Sequence, residues 1–68
     1  MPTQEPELSA RELAVVRLIA KGSSQAEAGR ELGIASGTVK VHLNNIYTKL
    51  RIHSAVDLTR WAIQEKLV

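Results

Sequence analysis

The amino-acid sequence predicts an all-α fold, a compact four-helix domain with a helix-turn-helix inside it. Apolar residues recur at spacings of four and three rather than two, as at Val39, Leu43, Ile46 and Leu50. Serine followed three positions later by an acidic residue occurs at Ser9, Ser24 and Ser54, a pattern that caps helix N-termini. With 44% hydrophobic residues but no Phe, and only Tyr47 and Trp61 as aromatics, the interior must be built from Leu, Ile, Val and Ala, which suits packed helices better than a β-sandwich.

Residues 1–7, with two prolines and two glutamates, cannot add to a core and read as a tail or the end of an interdomain linker, leaving 8–68 as the domain. The first helix is expected over about 10–21. Ser9 and Glu12 form its capping box, Gly22 stops it with Lys21 in the last turn, and Val15, Val16, Ile19 and Ala20 make its inner stripe. The second, over 25–32, opens on Ser24 and Glu27 and ends at Gly33, which can take a positive φ. Gly29 in its interior costs about 1 kcal/mol against Ala. A close crossing of two helices would offset that loss.

The third helix is expected over 36–50, with Val39, Leu43, Ile46 and Leu50 facing inward. At 100° per residue, Gly37, Val41, Asn44 and Thr48 lie opposite, flanked by Lys40 on one side and by Thr38 and Asn45 on the other. A fourth helix is expected over 55–66, capped by Ser54, with two apolar edges. Leu58, Trp61 and Ala62, with Ala55, form one; Val56, Ile63 and Leu67 form the other. Either both edges pack round a small core, or the second one is a dimer surface.

Sixty-eight residues make one small domain, which buries only roughly 60% of the surface its unfolded chain exposes, so a deep enzymatic cleft is not expected. The net charge is only +2, but its distribution is uneven. No acidic residue lies between Leu32 and Val56, where Lys40, His42, Lys49, Arg51 and His53 all fall, and a segment so composed presents a positive face if it folds as one element. No cysteine is present for a disulfide or a Cys-based zinc site, and two isolated histidines do not make a metal site. Neither a phosphate-cradling glycine loop nor a nucleophile–base spacing occurs, so the expectation is a non-enzyme without a cofactor. No apolar run reaches the roughly 18 residues of a membrane span and the first six residues lack signal-peptide character, so no membrane role and a cytoplasmic location are expected.

The polar outer face of the third helix suits a reader of double-stranded DNA. Lys40 and Asn44 sit one turn apart; lysine can donate to guanine N7 and O6, or hold a phosphate, and asparagine can pair with adenine N6 and N7. Val41 between them can touch a thymine methyl, or be an incidental surface valine. Ser36, Thr38, His42, Asn45, Thr48, Lys49 and Arg51 can donate to phosphates, as can Ser24 and Gln25 from the start of the second helix.

The segments LSARELAVVRLIAKG, EAGRELGIASGTVKVHLNNIYTKL and HSAVDLTRWA resemble, in order and spacing, the LuxR/GerE-type DNA-binding domain, with the flavour of the carboxy-terminal domains of NarL/FixJ response regulators. The resemblance spans Leu8 to about Leu67. It implies a bacterial-type transcriptional regulator whose third helix lies in the major groove and whose fourth makes a homodimer on paired half-sites. By position it makes Lys40, Val41 and Asn44 base-facing, Thr38, His42 and Lys49 backbone-contacting, Leu58 and Trp61 core, and Val56 with Ile63 the dimer edge, to which Thr59 and Arg60 are neighbours. It also implies an upstream receiver or ligand-binding domain in a longer chain, with RNA polymerase as a further partner.

Four departures from the family's pattern stand out. Ala35 replaces a usual serine, so that Ser36 could cap the third helix one residue later; Ala28 replaces an aliphatic, Arg51 a glycine and Leu13 a charge. Leu13 could then be extra surface for another domain. The rival expectation is a protein-interaction module that docks the same basic helix on an acidic protein partner.

Overall fold

The computed structural model describes residues 8–68. The tail expected over residues 1–7 lies outside them. Four helices follow in order: α1 Ala10–Ala20, α2 Gln25–Leu32, α3 Ser36–Leu50 and α4 Ala55–Gln64. Helix α1 packs against each of the other three, and α2 packs on α3. At their meeting point lie Val15, Val16, Ala28, Val39, Leu43, Ile46, Leu58 and Ala62, all buried. None of the described helices is long and apolar enough to cross a membrane.

The N-termini form as their caps dictate. In α1 the Ser9 Oγ accepts from the Glu12 N–H at 3.1 Å while the Glu12 Oε1 accepts from the Ser9 N–H at 2.9 Å. Ser24 and Glu27 repeat the exchange at 3.1 and 2.8 Å, and the Asp57 N–H donates to the Ser54 Oγ at 3.2 Å. Helix α3 is the exception. It starts at Ser36 on an Ala35 N-cap with no side-chain hydrogen bond, so Ser36 does not move the start one residue later.

All four C-termini close the same way, through a residue of positive φ and a six-residue backbone ring. Gly22, Gly33, Arg51 and Lys66 carry φ of 106°, 72°, 58° and 59°. The next N–H reaches back five residues in each: Ser23 to Leu18, Ile34 to Gly29, Ile52 to Tyr47 and Leu67 to Ala62, at 2.8–3.1 Å. Three of those following residues are apolar, and Ile34, Ile52 and Leu67 all fold onto the core.

That closure corrects the expected end of the fourth helix, which stops at Gln64 rather than 66. It also corrects the grouping of its apolar residues. Leu67 leaves the outer edge and packs against the core, while Val56 and Ile63 remain 63% and 59% exposed.

Gly29 allows a close approach, but to the turn rather than to a crossing helix. A Cβ there would meet the Ile34 carbonyl oxygen at 2.6 Å and backbone atoms of Ala35 and Ser36 at 3.4 Å. The turn joining α2 to α3 therefore lies directly on the α2 backbone, which sets where α3 begins.

Candidate nucleic-acid interface

Helix α3 is divided by its own periodicity. Val39, Leu43 and Ile46 are buried and Leu50 is half-buried, whereas Gly37, Thr38, Lys40, Val41, Asn44, Asn45 and Thr48 are exposed. Val41 is 57% exposed at the centre of that outer face, where an apolar side chain gains nothing from the fold. His42 sits half-buried at the boundary. Ser36 is exposed in the first turn, and the space beside Gly37 is open, so nothing in the domain crowds the entry to the helix.

Several donors on or near this face are already engaged. The Thr48 hydroxyl donates to the Asn44 carbonyl at 3.0 Å, which turns its proton inward along the helix. The Lys49 ammonium donates to the Glu12 carboxylate of α1 at 2.8 Å. Ser24 is exposed, but its oxygen accepts from Glu27 and the Glu27 carboxylate lies beside it; Gln25 is exposed next to them. Arg51 projects from the left-handed residue that ends α3, exposed, on the rim of a shallow groove shared with Asn44, Tyr47, Thr48, Ile52 and His53.

Two carboxylates feel their surroundings. The Lys49 hydrogen bond, with help from the Ser9 backbone N–H, holds Glu12 below its ordinary pKa. The Ser24 backbone N–H does the same for the exposed Glu27. Both therefore stay charged around neutral pH, one beneath the C-terminal half of α3 and one at the start of α2.

On α4, Leu58 and Ala62 are fully buried and Trp61 packs half-buried against the core. Val56, Arg60 and Ile63 are exposed; Thr59 is half-buried, with its hydroxyl bonded to the Ala55 carbonyl at 2.9 Å. Leu13 is half-buried on α1 rather than fully exposed.

An exposed, mostly polar helix face held opposite a buried seam, set by a glycine-closed turn at Gly33, is the arrangement of a helix-turn-helix reader. The family described as bacterial regulatory proteins, luxR family, matches residues 6–62. The chain belongs to that family.

This luxR-family domain is thus a helix-turn-helix, DNA-binding unit of transcription regulation. It is similar to the Fimbriae Z protein of Salmonella typhimurium, 38% identical over 61 residues, covering 90% of this chain and 29% of that protein. It is similar also to the oxygen regulatory protein NreC of Staphylococcus aureus, 39% identical over 61 residues, covering 90% of this chain and 28% of that protein. The luxR-family domain spans less than a third of the length of these relatives.

Sequence reasoning missed two contacts. Glu12 reads as a cap from its spacing to Ser9, and its bond to Lys49 joins residues 37 apart, beyond any local pattern. Arg11 carried no signal at all, yet its guanidinium donates to the Leu32 carbonyl at the end of α2, at 3.2 Å.

Proposed function

We propose that this luxR-family domain binds double-stranded DNA sequence-specifically with α3 in the major groove. The observation that carries the reading is the outward placement of Lys40, Val41 and Asn44 on consecutive turns of a helix whose opposite side is buried. Lys40 supplies donors for guanine or a phosphate, Asn44 a bidentate partner for adenine, and Val41 an apolar contact for a thymine methyl. Ser36, Thr38, His42, Asn45 and Arg51 flank them toward the phosphates. Ser24 and Gln25 approach the opposite strand. Thr48 and Lys49 stand differently: the Thr48 hydroxyl proton is bonded within the helix and one Lys49 N–H is held by Glu12, so both also support the face from within the domain.

The domain acts as a homodimer on paired half-sites through α4. Val56 and Ile63 supply the apolar contact there, with Thr59 and Arg60 beside them. Two large aliphatics left in water on one face of a short helix support this, because the same helix has already buried Leu58 and Ala62 internally. A regulatory domain elsewhere in a longer chain, supported by the fraction of its relatives that the domain spans, and contact with RNA polymerase, for which the family resemblance alone speaks, complete the reading. Binding without chemistry, in the cytoplasm, is the whole of the activity proposed.

Selection of bound duplexes from a random pool tests this. A recovered motif with two half-sites about one helical turn apart is the expected result. Recovery of no motif, with capture of an acidic protein instead, would favour the docking-module reading.

A further inference from the structure

Glu12 is the one charged residue buried among those described, and the proposed DNA contacts do not use it. Its Oε1 accepts two hydrogen bonds at once: from the Ser9 N–H at 2.9 Å, closing the cap of α1, and from the Lys49 Nζ at 2.8 Å, reaching the last turn of α3. The neighbouring Arg11 donates to the carbonyl of Leu32, the last residue of α2. Two consecutive residues of α1 therefore grip both helices of the reading unit, one at the end of α2 and the other at the end of α3.

We infer that Glu12 is a positioning residue for DNA recognition, fixing the orientation of α3 through Lys49, and that Lys49 serves this pair rather than a phosphate. Only the carboxylate end of this pair is out of water, with the Lys49 side chain 42% exposed and that of Glu12 7%, so the desolvation cost falls on Glu12 and the pair adds little net stability. What an ion pair adds is direction. The direction comes from the Glu12 end: its Oε1 is pinned to the start of α1 by the Ser9 N–H, so the Lys49 ammonium is drawn to one fixed point on α1. A rotation of α3 about its own axis moves Lys40 and Asn44 relative to base edges while leaving diffuse attraction to phosphates nearly unchanged. The pair thus acts on discrimination more than on binding as such. Paired with Glu12, the Lys49 charge also adds nothing to the count of phosphates neutralised.

The inference rests on the DNA reading proposed above, and its test separates the two. The proteins are the wild-type domain, Glu12→Gln, Lys49→Met and Lys49→Arg; the probes are the duplex that wild type selects from a random pool and a scrambled duplex of the same composition. Glu12→Gln keeps an oxygen for the Ser9 N–H and removes the charge facing Lys49. The ratio of the two affinities should fall about fivefold in Glu12→Gln and in Lys49→Met, and return in Lys49→Arg. General destabilisation would weaken binding to both duplexes and leave the ratio unmoved. The salt dependence of binding should stay at the wild-type slope in Lys49→Met. A slope reduced by about 0.9 would make Lys49 a phosphate contact and overturn the inference.

Amide hydrogen exchange on the free domain supplies the arm that needs no DNA. Faster exchange in the last turn of α3 in Glu12→Gln supports the grip; wild-type exchange there overturns it. If wild type prefers neither duplex, the DNA reading fails, and the exchange result still decides whether Glu12 holds α3.

Discussion

Gly29 and Ile34 meet across the turn of the helix-turn-helix so closely that a Cβ on residue 29 would lie 2.6 Å from the Ile34 carbonyl oxygen. The same two residues are joined by the bond from the Ile34 N–H to the Gly29 carbonyl at 2.8 Å. The obstruction is backbone, which cannot swing aside as a flexible side chain would. Gly29→Ala gains about 1 kcal/mol of helix propensity, but the overpacking it forces costs about 1 to 3 kcal/mol and falls at the upper end here, so a net loss of about 1 to 2 kcal/mol is expected. Urea unfolding checks it, and an alanine variant as stable as the parent would refute the close contact.

What was legible in the sequence was what is encoded within one turn. Ser9 with Glu12, Ser24 with Glu27, and Ser54 with Asp57 lie three residues apart, so spacing alone reports their bonds. Gly33 was readable because left-handed backbone favours glycine. The end of α4 was not, because there the left-handed residue is Lys66, which carries no such signal. Leu67 followed from that: at helical spacing it belongs beside Ile63, and only the reversal at Lys66 turns it to the core. The Glu12–Lys49 bond depends on how α1 and α3 dock, which no local pattern states. On α3, Val39, Leu43 and Ile46 announced the buried side through period alone, and the exposed side followed by subtraction.

The start of α3 offers a stabilising change. Ala35 holds the extended backbone of an N-cap, φ −70° and ψ 152°, but has no side-chain oxygen to accept a first-turn N–H, and the Thr38 N–H shares the Ala35 carbonyl with that of Val39 instead, at 3.0 and 3.1 Å. Ala35→Ser should add about 1 kcal/mol, the ordinary worth of such a cap. Thermal and urea unfolding should both shift upward. An unchanged midpoint would mean that those N–H groups are already satisfied.

Acid should weaken the domain through Glu12. Its folded-state pKa lies below its ordinary value near 4.5, mainly through the Lys49 bond, so its stabilising contribution is complete above that value. The contribution is lost as pH falls through the folded pKa, where the carboxylate protonates and its attraction for the ammonium disappears. Glu27 shifts in the same direction, but it is exposed and contributes less. Stability followed from pH 6 downward should decline for wild type, and Glu12→Gln should flatten most of that decline. A variant with the parent's full acid dependence would place its cause elsewhere.

Arg51 separates stability from binding. Its φ of 58° puts a side chain where glycine is at ease, at a cost of about 1 to 2 kcal/mol. Arg51→Gly relieves this but loosens the unfolded chain, so a net gain of about 0.5 to 1 kcal/mol is expected. The same change removes an exposed cation from the rim of the proposed interface, and the slope of binding against salt should fall by about 0.9. Greater stability with weaker, less salt-sensitive binding is therefore the outcome to look for. A more stable variant with unaltered binding would take Arg51 off the interface.

Lys40 decides how the outer face of α3 reads its target. It is exposed, with no ion pair to a carboxylate among the described residues, and sits one turn before Asn44. If it donates to a guanine edge, Lys40→Ala should weaken binding to the selected duplex by about 1 to 3 kcal/mol and relax preference at one base position. If it holds a phosphate, the loss should be nearly uniform across sequences and the salt slope should fall by about 0.9. Because the guanine contact is the one that carries sequence information, the expected result is the first, measured by titrating the variant against single-position duplex substitutions. Wild-type affinity for every duplex would remove Lys40 from the interface and leave Asn44 and Val41 to carry the recognition.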